Sequence, residues 1–130
     1  MEKGCIITLQ QKIYRIKQVI IQIGWVNVTV NEFMMQSGIP VNLKGFIVVE
    51  RAIEFCIKNP EISSMELYEA MANECNTTPT GAERRIRIAL ERGFGLMDES
   101  LKRKLFGIKE KIRNTEYVKT VAYAIKNHVI

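Results

Sequence analysis

Apolar residues return at helical intervals along almost the whole chain. Ile6, Leu9, Ile13, Ile16, Ile20 and Ile23 stand 3, 4, 3, 4 and 3 residues apart, an a/d seam that predicts an amphipathic helix ending near Gly24. In "VTVNEFMMQSGIP", Thr29 and Glu32 have the spacing of a capping box, and Gly38 and Pro40 supply a stop. Asn42 is placed to cap a longer helix reaching Ile57, with Phe46, Val49, Ile53 and Cys56 on its inner face. Ser63 and Glu66 repeat the capping-box spacing and open a helix to about Cys75. Thr78 and Pro79 open the next, which runs to Arg92 before Gly93 and Gly95 break it. Ser100 to Phe106 then suits a short basic helix, and Asn114 or Thr115 can cap a last helix carrying Tyr117, Val121, Ala124 and Ile125. The one β-like run, "WVNVTV", has no partner strand. The expectation is an all-α fold: a helical bundle of about six to seven helices containing a helix-turn-helix.

Two units follow from this pattern. Residues 1–28 form an N-terminal amphipathic helix, and residues 29–130 form the main domain. The seam from Ile6 to Ile23 spans fewer than three heptads, which suits either an extra packing helix or a dimerisation element. Trp25 stands where it can anchor that helix to the domain.

Composition narrows the class of function. At 130 residues, 47% apolar and 25% charged, the chain fits one globular domain with its own core. No apolar run of about 18 residues escapes a charge, so no membrane span is expected. Lys12, Arg15 and Lys17 interrupt the apolar start, which lacks a cleavable-signal pattern. Three cysteines (Cys5, Cys56, Cys75) without a CxxC spacing and a single histidine, His128, argue against a disulfide framework and against a zinc site. No metal and no cofactor are therefore expected, and a cytoplasmic, nucleoid-associated location is. Glu50 and Glu54 stand one turn apart like an acid/base pair, yet no nucleophile, glycine-rich phosphate loop or metal cluster accompanies them. They read as a solvated face, His128 as a chain-end residue, and Met34, Met35, Met65, Met71 and Met97 as core filler. An enzyme is not expected.

Charge changes the picture more than composition does. The net charge is +5, but Arg84 to Arg113 holds 10 Lys or Arg against 4 Asp or Glu, a balance of +6. The remaining 9 basic and 10 acidic residues leave −1 elsewhere. One face is thus prepared for an anionic partner. Within it, Asn76-Thr77-Thr78 separates two helices as in a helix-turn-helix. At 100° per residue Ala82, Ile86, Ala89 and Leu90 share one side of the second helix, and Thr80, Glu83, Arg84, Arg87 and Glu91 share the other. In such a motif the N-terminal positions of the second helix reach base edges in the major groove of double-stranded DNA. An arginine fork matches the O6 and N7 acceptors of guanine, whereas a glutamate accepts from cytosine N4 or orients an arginine one turn on. Thr80, Glu83, Arg84 and Arg87 are the candidate base readers. Thr78, Arg85, Lys102, Arg103 and Lys104 suit phosphates, which position a protein without reading sequence.

Those stretches carry a family resemblance. "GIPVNLKGF" (38–46), "LYEAMANECNTTPTGAERRIRIALE" (67–91), "LFG" (105–107) and "NTEYVKTVAYAI" (114–125) resemble, in order, the C-terminal effector domain of the stage-zero sporulation regulator A, the response regulator of spore-forming Gram-positive bacteria. The likeness covers the chain from about Val30 to Ile125, with a modest shortening near Asn59 to Ser64. It implies a helical DNA-binding domain that recognises a TGTCGAA-type box, often as tandem copies bound by a dimer. By position, Glu83, Arg84 and Arg87 match the family's base-reading trio, and Thr80 a small polar DNA contact. Gly81 departs, since the family usually has arginine there. Arg85 stands in place of an alanine and Ile88 in place of a histidine. The family's regulator also carries a phosphorylatable receiver domain. With only Asp98 as an aspartate and few residues ahead of the match, this chain is expected to act without one.

Partners expected on this reading are double-stranded DNA, a second copy through Ile6–Ile23 or on tandem sites, and RNA polymerase or a full-length regulator. The rival expectation is a protein-interaction module that forms mixed dimers with a full-length regulator. Its surface would be the N-terminal helix or the acidic stretch from Gly45 to Cys75, with 2 basic and 6 acidic residues.

Overall fold

The structure is a computed structural model that describes residues 28–130. The Ile6–Ile23 seam, Cys5 and Trp25 lie outside the described residues. Among the described residues six α-helices follow one another: α1 (Val30–Gln36), α2 (Lys44–Lys58), α3 (Ser64–Glu74), α4 (Pro79–Gly93), α5 (Glu99–Phe106) and α6 (Asn114–Lys126), with a 3₁₀ turn at Phe94–Leu96. Among the described residues there is no strand, and the expected all-α bundle with a helix-turn-helix is what forms.

Side-chain caps set several boundaries. Thr29 Oγ1 accepts the Glu32 N–H at 3.1 Å and starts α1. Ser63 and Glu66 form a full capping box at the start of α3, each side chain bonding the other's backbone N–H. That reciprocal bonding to Ser63 holds the Glu66 carboxyl below its usual range. Asp98 caps α5 through the Leu101 N–H at 3.0 Å. Two expected caps fail. Pro40 to Leu43 closes a turn that brings Leu43, in extended backbone, to the entrance of α2, so Asn42 stays exposed in the turn. Neither Asn114 nor Thr115 caps α6. Arg113 occupies the N-cap, and both residues lie inside the first turn, where their side chains bond to neighbouring helices.

α2 runs through the centre, packed against α4 on one side and α6 on the other. Val48, Val49, Ala52 and Ile53 are fully buried there. At Gly45 the backbone of α4 comes so close that a Cβ would drive into the Arg85 carbonyl oxygen and stand 2.8 Å from the Ala89 Cβ. Glycine and alanine at this crossing let the two helices approach more closely than larger residues allow. Phe33, Phe94, Phe106 and Tyr117 form an aromatic cluster in the core. Phe106 stacks on Tyr117 with centroids 5.2 Å apart, and Phe94 meets Phe106 at 5.5 Å. The Tyr117 hydroxyl is buried without a hydrogen-bond partner, and burial pushes its pKa up. Met34, Met71 and Met97 fill the core as expected, but Met35 and Met65 do not: they are 65% and 71% exposed. Each sits on the solvent side of a short helix whose other face already supplies enough apolar surface.

Candidate nucleic-acid interface

The turn between α3 and α4 is built by local chemistry. Asn76 takes the left-handed conformation at φ 53°, and the Thr77 N–H bonds back to the Ala72 carbonyl at 2.9 Å, closing α3 in a Schellman motif. Arg51, one helix away, donates to the Glu74 carbonyl at 3.3 Å, placing a cation at the negative end of α3. Thr78 then caps α4, accepting the Gly81 N–H at 2.9 Å, with Pro79 at the first helical position. The Thr78 hydroxyl proton is not consumed by that bond and can still be donated to a phosphate.

Packing fixes how α4 presents its two faces. Ala82, Ile86 and Ala89 are fully buried and Leu90 nearly so, against α2 and α3. Thr80, Arg84, Arg87 and Glu91 consequently point to solvent, with Glu83 half-buried beside them. The four expected base readers thus share one face over about the first two and a half turns, with Glu83 half-buried. Glu83 Oε1 lies 4.0 Å from Arg87 Nη1, with the two side chains 32% and 50% exposed. Asn114 Nδ2 reaches across from α6 to 3.4 Å from both the carbonyl and Oε1 of Glu83. Arg84 makes no ion pair among the described residues, so its fork is open to a partner.

The phosphate candidates are more dispersed. Arg85 is half-buried on the flank facing the helix-turn-helix turn, where its charge and that of Arg51 act on the Cys75 thiol. Partial burial raises that thiol's pKa and the two guanidiniums pull it back. Lys102 lies over the Phe94 ring, its Nζ 4.7 Å from the centroid, Arg103 pairs with Glu99 at 3.6 Å, and Lys104 is exposed. These three sit on α5, which packs on α6.

Two basic residues to which sequence reasoning gave no role adjoin the outer face of α4. Lys111 lines a cleft with Arg87, Glu91 and Phe94, and Arg113 lines another with Glu83, Arg87 and Tyr68. Both lie in the loop between α5 and α6, and both fall inside the basic stretch that the charge count picked out. The count could locate the stretch, but only the fold brings the loop against α4.

The family model for the sporulation initiation factor Spo0A C terminal matches residues 30–125. The chain belongs to that family. The match begins at the first residue of α1 and ends one residue short of the end of α6, so it takes in every described helix. Spo0A C-terminal domains are DNA-binding domains of sporulation regulators and are not an enzyme family. Where the resemblance leads one to expect arginine, Gly81 here lies against the turn: a Cβ would press on the Thr77 hydroxyl and stand 3.1 Å from that of Thr78. Among the described residues no helix is long and apolar enough to cross a membrane.

Proposed function

We propose that this Spo0A-type domain regulates transcription by laying α4 in the major groove of a short TGTCGAA-type box. Thr80, Glu83, Arg84 and Arg87 read base edges, with the two arginines as guanine forks and Glu83 as acceptor or as the group that orients Arg87. Thr78, Arg85, Lys102, Arg103 and Lys104 hold phosphates, joined by Lys111 and Arg113. The observation that carries this reading is the shared face of exposed Thr80, Arg84 and Arg87 with half-buried Glu83, on a helix whose opposite face is buried. The N-terminus of α4 adds its positive dipole end, which favours an approaching phosphate. Residues 1–28 serve as an extra packing or dimerisation element on tandem sites, and RNA polymerase or a full-length regulator is a further partner. A cytoplasmic setting on the nucleoid goes with this role.

A titration by fluorescence anisotropy tests the reading. One duplex carries a single box and the other is scrambled, each measured at two salt concentrations. Preference for the box should reach at least about a hundredfold, a floor set below the roughly 10³–10⁷ typical of specific over non-specific DNA binding. Equal binding to both duplexes that collapses with salt would leave only the charge term and refute the base-reading roles.

A further inference from the structure

Asn114 does not cap its own helix, and the reason is its position. It enters as the first helical residue behind Arg113, with its amide turned across to α4. Nδ2 donates to the Glu83 carbonyl and to Glu83 Oε1, both at 3.4 Å, and the same Oε1 lies 4.0 Å from Arg87 Nη1. The next residue, Thr115, shares a 2.8 Å hydrogen bond between its Oγ1 and the Ser64 Oγ, which ties the first turn of α6 to the start of α3. Lys109 pairs with Glu116, fastening the preceding loop to that turn. That pairing holds the Glu116 carboxyl below its usual range. One turn of α6 therefore grips both helices of the helix-turn-helix, and its grip on α4 falls on the reading face itself.

We propose that Asn114 is a positioning residue for DNA recognition. It holds the Glu83 carboxylate, and through it the Arg87 guanidinium, so that it sets the preference at the base pair Arg87 reads. The inference rests on Arg87 being a base reader. A half-exposed arginine that nothing restrains must surrender its rotamer freedom on binding, and one already held by a fixed carboxylate surrenders less. A carboxylate left unheld would follow the arginine instead of directing it. Asn114 supplies that restraint from outside the helix-turn-helix, through a neutral amide that adds no charge to the DNA-facing surface.

A panel of duplexes carrying each single base-pair change in the box separates this role from simple stapling of α6 to α4. Asn114→Ala should flatten discrimination by about fivefold to tenfold, part of the worth of one bidentate contact, at the same base pair that Arg87→Ala affects. Binding to scrambled DNA and discrimination elsewhere in the box should stay within about twofold. Asn114→Asp keeps the shape but sets an acceptor against the Glu83 carboxylate, so it should flatten the same position at least as much. In a Glu83→Ala background, Asn114→Ala should add nothing. A uniform loss of affinity on all duplexes, or an effect fully additive with Glu83→Ala, overturns the inference while the base-reading assignment stands. If Arg87→Ala itself leaves discrimination intact, that assignment fails and the inference falls with it.

Discussion

The two faces of α4 are made under different constraints. Its inner face, Ala82, Ile86, Ala89 and Leu90, is buried against α2 and α3 and has no polar group to satisfy. Small residues recur there because α2 crosses at Gly45 with no room for a side chain. Its outer face carries Thr80, Arg84, Arg87 and Glu91 in solvent, and among the described residues its side-chain hydrogen bond to another helix is that of the Asn114 amide to Glu83. Shape decides the inner residues, and very little in the fold decides the outer ones. A face that costs the fold little to change is where binding chemistry can reside, while the inner face holds it at a fixed angle.

Substitutions on the two faces should therefore separate stability from recognition. The largest effect belongs to Ile86→Ala, expected to cost about 2–5 kcal/mol of unfolding free energy because a fully buried branched side chain leaves a cavity between α2 and α4. Urea denaturation followed by circular dichroism would show it as a lower midpoint. Gly45→Ala comes next, at about 1–3 kcal/mol, since the new methyl meets Arg85 backbone that cannot rotate away. If that variant were as stable as the wild type, the close crossing would not be the constraint described here. On the outer face, Arg84→Ala should lose about 1–3 kcal/mol of discrimination at one guanine and leave the unfolding midpoint nearly unchanged. Lys102→Ala should weaken all duplexes alike and lower the slope of log affinity against log salt by about 1, read from titrations at several salt concentrations. The smallest effect is Tyr117→Phe. Its hydroxyl is buried with no partner, so removing it should be neutral or stabilising by less than about 1 kcal/mol. A clear loss of stability in that variant would mean that the hydroxyl is hydrogen-bonded after all.

Much of this arrangement is legible in the chain itself. Ser63 with Glu66 and Thr78 with Pro79 mark the starts of α3 and α4 because capping chemistry is local. The inner face of α4 follows from periodicity alone. What sequence reading missed is tertiary. Asn42 and Asn114 are both good capping residues, but the chain's path into each helix gives the N-cap to a neighbour, and Asn114 spends its amide on Glu83. Lys111 and Arg113 belong to a loop whose placement beside Arg87 no local signal encodes. Met35 and Met65 look like core residues by type, yet lie on the outer sides of their helices. The resemblance and the fold agree on where the helix-turn-helix lies. They part at Gly81, where a glycine nests against Thr77 in place of the expected arginine.

The central claim is that the outer face of α4 meets DNA, and a nuclear magnetic resonance titration tests it most directly. Amide resonances of the ¹⁵N-labelled protein would be followed as a duplex with one TGTCGAA-type box is added. The account predicts that the strongest shifts fall on Thr78 to Arg87, with a second group at Lys111 to Asn114, while the acidic outer surfaces of α2 and α3 stay still. Shifts centred on those acidic surfaces, or none on α4 at a concentration where the duplex binds, would contradict it.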